Sequence, residues 1–141
     1  MTAIDRLREL IEDDFISKLS LPEHLIASTL AKRDVHEFAN RWMAAFEDVN
    51  ARFDTCSDIE RFKSTIYIIR KSSYAKAFNT WKNPELASLI SDDMELISKS
   101  AVIKLDDPWI NGLLFSYINK QVPSSNVFCE KSIEALIDSI A

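Results

Sequence analysis

A chain of 141 residues, 47% hydrophobic and 28% charged, has the size and make-up of one globular domain, expected to span 1–141 without disulfide staples. Its formal net charge of −5 opposes non-specific attraction to nucleic acid, and no apolar run approaches the ~20 residues that cross a bilayer, so a cytoplasmic protein without membrane contact is expected. One glycine, Gly112, stands where about ten are usual, which excludes phosphate loops, dinucleotide fingerprints, nucleophile elbows and EF-hand loops.

Helical punctuation recurs along the chain. Thr2 and Asp5 read as an N-cap with an acid in the first turn, and Ile4, Leu7, Ile11 and Phe15 give an apolar stripe, predicting a helix over 3–19. Ser20 and Glu23 bracket Leu21-Pro22 as a second capping box, ahead of a short helix with Leu25, Ile26 and Leu30 inward that ends near Arg33. Asp34 and Glu37 read as a third box. The stripe Val35, Phe38, Trp42, Phe46, Val49 and Phe53 then predicts an amphipathic helix of about five turns, with Glu37, Arg41, Glu47 and Asp48 opposite.

Ser57 and Glu60 open the next helix, with Ile59, Phe62, Ile66 and Ile69 inward; Lys71-Ser72-Ser73 is a candidate break, and Tyr74, Ala77, Phe78 and Trp81 continue the rhythm. Asn83-Pro84-Glu85 and Asp107-Pro108 are further starts, a polar cap followed by proline. The first leads Leu86, Leu89, Ile90, Leu96 and Ile97, with a candidate break at Ser91-Asp92. The second leads Ile110, Leu113, Leu114, Tyr117 and Ile118. Val122-Pro123-Ser124-Ser125 reads as a loop, and Asn126 as the cap of a last helix carrying Cys129, Ile133, Leu136 and Ile140. The expected fold is all-α, a compact irregular bundle of about seven or eight helices; a short HEAT-like stack of helix pairs is the alternative.

Little points to catalysis, and the reading leans away from an enzyme, with no catalytic, cofactor-binding or metal residue assigned and no cofactor expected. His24 and His36 lack the spacing of a zinc or di-iron motif, and Cys56 and Cys129, without CxxC partners, read as two free thiols. Glu12-Asp13-Asp14, Asp92-Asp93-Glu95 and Asp106-Asp107 are the acids from which a carboxylate site could be assembled across helices. Asp92-Asp93 and Asp106-Asp107, however, are read as helix starts, which favour acids.

Charge is segregated. Residues 1–60 carry 13 acids and 7 bases, net −6; residues 61–82 carry 6 bases and no acid, net +6; residues 83–141 carry 9 acids and 4 bases, net −5. Small size, a stiff helical frame and these charge blocks favour a non-catalytic protein-binding module, a small inhibitor of immunity or antitoxin type presenting acidic helical faces to a basic partner. Glu12, Asp13, Asp14, Glu47 and Asp48 are the expected contacts. The alternative is a nucleic-acid or acidic-partner patch built from Tyr67, Arg70, Lys71, Tyr74 and Lys76, where cations alternate with aromatic rings. Against it, Phe62, Phe78 and Trp81 fall on the inferred buried stripe, and a second layer of helices is expected to cover Tyr67 and Tyr74.

Overall fold

The computed structural model describes residues 2–140, among which there are seven α-helices and no strand. They are α1 (Ala3–Glu12), α2 (Ile26–Arg33), α3 (His36–Asp54), α4 (Ile59–Trp81), α5 (Pro84–Val102), α6 (Pro108–Ile118) and α7 (Ile133–Ile140), with a 3-10 turn at Glu23–Leu25 before α2. The bundle is built around α5, which packs against α1, α3, α4, α6 and α7. A solenoid helix touches only its neighbours, so this central helix excludes the HEAT-like stack. Leu86, Ala87, Ile90, Met94, Leu96 and Ile97 give α5 buried apolar residues over about half of its circumference.

Some start signals form as read. Thr2 and Asp5 make a reciprocal capping box; Asn83 Oδ1 accepts from the Leu86 N–H at 2.9 Å and Asp107 Oδ1 from the Trp109 N–H at 2.9 Å. Others do not. Asp34 closes α2 in a helical conformation (φ −83°, ψ −6°), whereas an N-cap needs extended backbone, so α3 begins after Val35 without a side-chain cap. Ser20 hands its N–H to the Lys120 carbonyl at 2.8 Å, and no side chain caps the turn that follows Pro22. The helix starting at Ile59 likewise has no side-chain cap.

The first helix stops at Glu12, not near Leu19. Glu12, Asp13 and Asp14 put three acids at the negative end of the helix dipole, which disfavours extension. The chain continues in turns that still bury Ile16 and Leu19. Neither candidate break occurs: α4 runs through Lys71-Ser72-Ser73 and α5 through Ser91-Asp92.

Residues 121–132 form an irregular strap along α6 in place of the helix expected from Asn126. Asn126 Oδ1 accepts from Trp109 Nε1 at 3.3 Å, the Cys129 N–H donates to the Pro108 carbonyl at 2.9 Å, and the cap of α7 is Ser132, whose hydroxyl accepts from the Ala135 N–H. The strap explains the solitary glycine. A Cβ at Gly112 would lie 2.7 Å from the Phe128 nitrogen and 2.9 Å from Val127 atoms. Elsewhere lysine does the work that glycine usually does: Lys82, Lys104 and Lys120, just beyond α4, α5 and α6, adopt φ of 56°, 54° and 64°.

Candidate partner-binding surface

The polar groups fall into an interior knot and an outer face, joined at consecutive residues of α5. Asp92-Asp93 lies in the middle of this helix, not at a helix start. Asp93 is fully buried. Its carboxylate takes two hydrogen bonds from the Arg33 guanidinium (2.7 and 2.8 Å), one from Trp42 Nε1 (2.9 Å) and one from the Tyr117 hydroxyl (2.6 Å). Arg33 also donates to the Pro123 carbonyl at 2.9 Å and lies 4.5 Å from the centre of the Phe38 ring. One carboxylate therefore ties α2, α3, α5, α6 and the strap together. Burial disfavours the charged guanidinium, yet Asp93 outweighs it and holds the Arg33 pKa above the ordinary arginine value. Burial first, then the Asp93 charge, pushes the Tyr117 phenol well above its usual range. With both Asp93 oxygens committed to donors, this knot holds the frame together.

Asp92 points the other way, toward α4. Its carboxylate accepts from Arg70 at 3.2 Å, and Arg70 also reaches Glu95 at 3.6 Å. Partial burial raises the Asp92 pKa, opposed by Arg70. Ser91 Oγ donates to the Arg70 carbonyl at 3.0 Å. These contacts link α4 to α5 at the border of the side of α4 that meets solvent.

That side is aromatic. Tyr67 is 64% exposed, Tyr74 37% and Phe78 36%. No helix covers the two tyrosines, contrary to expectation, and Phe78 does not join the buried stripe. It stacks on Tyr74 instead, with ring centres 6.2 Å apart and planes within 5°. The interior side of α4 is filled by Ile66, Ile69, Ser73 and Ala77, small or branched residues that let α4 lie close on α5 and α1. Phe62 and Trp81 are half-buried, Trp81 donating to the Leu21 carbonyl at 2.9 Å. Tyr67, Arg70, Lys71, Tyr74 and Ser91 line a cleft of about 310 Å³. Lys76 stands apart from it, half-buried on another side of α4. There it adds to the effect of Lys18 in holding the Asp14 carboxyl below its ordinary value.

Glu12, Asp13, Asp14, Glu47 and Asp48 are all exposed, but they lie on two separate elements: the end of α1 and the turns after it, where α4 is the main neighbour, and α3, where α5 is. Three of the five are matched by bases one turn away: Glu12 with Arg8 (2.5 Å), Asp14 with Lys18 (2.9 Å) and Asp48 with Arg52 (3.0 Å). On the α3 side, Trp42 and Met43 with Leu89 and Asp92 line a second cleft of about 250 Å³, beside the first across α5.

Cys56 and Cys129 are free, half-buried thiols, and both histidines are exposed. Sequence reasoning missed the pairing of Arg33 with Asp93. The only signal for it was an arginine at the end of an apolar helix and an acid inside an apolar stretch, 60 positions apart.

No curated protein matches the chain. A family model described as immunity protein PIM1 does, over residues 6–124. The matched span runs from α1 to the start of the strap and contains every member of the Arg33–Asp93–Tyr117 knot as well as the aromatic face of α4. With most of its length covered by this match, the chain belongs to the immunity protein PIM1 family.

Proposed function

We propose that the protein neutralises a toxin by binding it directly, using the outer face of α4 as its interface. Membership in an immunity family supports a protein partner. The observation that carries the choice of surface is the row Tyr67, Tyr74 and Phe78, three large aromatics left in water on a helix anchored to the core of the bundle. Tyrosine on a rigid element buries much area for little lost rotamer freedom, which is why such residues dominate interface energetics.

A second reading places the acids Glu12, Asp13, Asp14, Glu47 and Asp48 against a basic partner, and the net −6 over residues 1–60 favours it. The one-turn ion pairs weaken that field, which is why the aromatic face ranks first.

A growth-rescue experiment tests both. Fragments of the source genome that arrest growth when expressed are paired with this chain; an immunity protein restores growth for one of them. Failure to rescue any toxic fragment would sink the immunity mechanism. In a rescued pair, loss of protection with Tyr67→Ala/Tyr74→Ala supports the α4 face, whereas loss with Glu47→Lys/Asp48→Lys alone supports the acidic one.

A further inference from the structure

We infer that the α4 face receives an acidic segment of its partner protein, with carboxylates seated on Lys71 and Lys82 and an apolar side chain between them. This rests on the α4 face being the interface. Steps of four, three and four residues carry Tyr67, Lys71, Tyr74 and Phe78 along one side of α4, and the ammonium of Lys82, the left-handed residue that ends the helix, lies 5.8 Å from the centre of the Phe78 ring. Tyr67 and Tyr74 stand seven residues apart, ~10 Å along the axis, which leaves room for one side chain between the two rings. The cleft of about 310 Å³ lies there, with Arg70, Lys71 and Ser91 as its other walls.

The charges select the occupant. Residues 61–82 hold six cations and no acid. Lys63 is paired with Glu60, and Arg70 with Asp92 and Glu95. Lys71 and Lys82 have no ion pair among the described residues, and Lys82 lies 5.8 Å from the centre of the Phe78 ring. Two such cations, 11 residues apart with two aromatic rings between them, suit separate carboxylates on a protein segment. A nucleic-acid backbone presents a row of phosphates denser than these two separated cations match, and Arg70 is already neutralised by Asp92 and Glu95. Between the two lysines, Tyr74 and Phe78 offer stacked rings to an aliphatic or aromatic side chain.

Selection of displayed random 12-residue peptides on the purified chain tests this chemistry without knowledge of the toxin. The expected winners carry Asp or Glu on both sides of an apolar residue. Their affinity falls at least about tenfold in Tyr67→Ala/Tyr74→Ala and again in Lys71→Glu, and weakens as salt is raised. Unchanged circular dichroism in these surface variants shows that the fold is kept. Enrichment of basic peptides, winners indifferent to both variants, no enrichment, or tighter binding of a 20-residue oligothymidylate at the same residues would each overturn it. Growth rescue that requires Tyr67 and Tyr74 while the peptides fail refutes the acidic occupant alone. Rescue indifferent to both tyrosines refutes the interface beneath it.

Discussion

Asp92 and Asp93 are the same residue type, adjacent on one helix, each facing an arginine, yet they live in different physical regimes. The Arg33 and Asp93 side chains are 8% and 0% exposed; those of Arg70 and Asp92 are 45% and 47% exposed. Buried, an ion pair is desolvated, and each charge depends on the other and on further donors to stay inside. Exposed, the same pair exchanges protein contacts for water at little cost. Adjacent helical positions differ by about 100° in direction, and that rotation separates a knot holding five segments from a latch between α4 and α5. Stability belongs to the first, and the second lies at the surface.

The sharpest way to break this contrast is Asp93→Ala. It strands the Arg33 guanidinium in the core and is expected to cost about 3–5 kcal/mol, measured by urea unfolding. Replacing both partners, Arg33→Met with Asp93→Leu, should recover only part of that loss: no charge is then left buried, but the Trp42 N–H and the Tyr117 hydroxyl still lack their acceptor; a double variant less stable than the single one would contradict the account. Trp42→Phe removes one charge-assisted hydrogen bond and should cost about 1.5–3 kcal/mol by the same measurement.

Alkaline pH probes the knot through Tyr117. Its pKa is raised in the folded chain, so the neutral phenol is favoured by folding. That stability is fully present below the unfolded value, about 10, and is lost as pH rises beyond it. Tyrosinate absorbance from Tyr117 should appear only together with loss of helical circular dichroism, and Tyr117→Phe should remove this part of the alkaline sensitivity. The smallest effect belongs to the outer pair. Asp92→Ala should change stability by less than about 1 kcal/mol, and a larger loss would erase the distinction drawn between neighbours.

Legibility followed the range of the interactions. Caps whose flanking backbone is extended and followed by proline, at Asn83 and Asp107, were readable because donor and acceptor lie within three residues. The boxes read at Ser20 and Asp34 had the right letters. Ser20, however, is claimed by Lys120 across the bundle, and Asp34 is held helical by the end of α2. On α4 the inward choice was not readable, because apolar residues occur on several sides: Ile66 and Ile69 went in, and Tyr67, Tyr74 and Phe78 stayed out. The candidate site residues Tyr67, Arg70, Lys71 and Tyr74 came together in one cleft because they share a helical side; Lys76 does not.

The all-helical class, the approximate helix count and the amphipathic stripes were settled by local sequence, since a turn's backbone hydrogen bonds and its 3.6-residue rhythm are closed within the segment itself. With a single glycine in the chain, Lys82, Lys104 and Lys120 take positive φ where helices must turn back on the bundle, at a local cost of roughly 1–2 kcal/mol each. Packing around α5 imposed that cost, chose Asp93 over Asp92 for the interior and left the tyrosines outside. Such choices depend on which distant helix arrives to exclude water, and no local pattern carries that information.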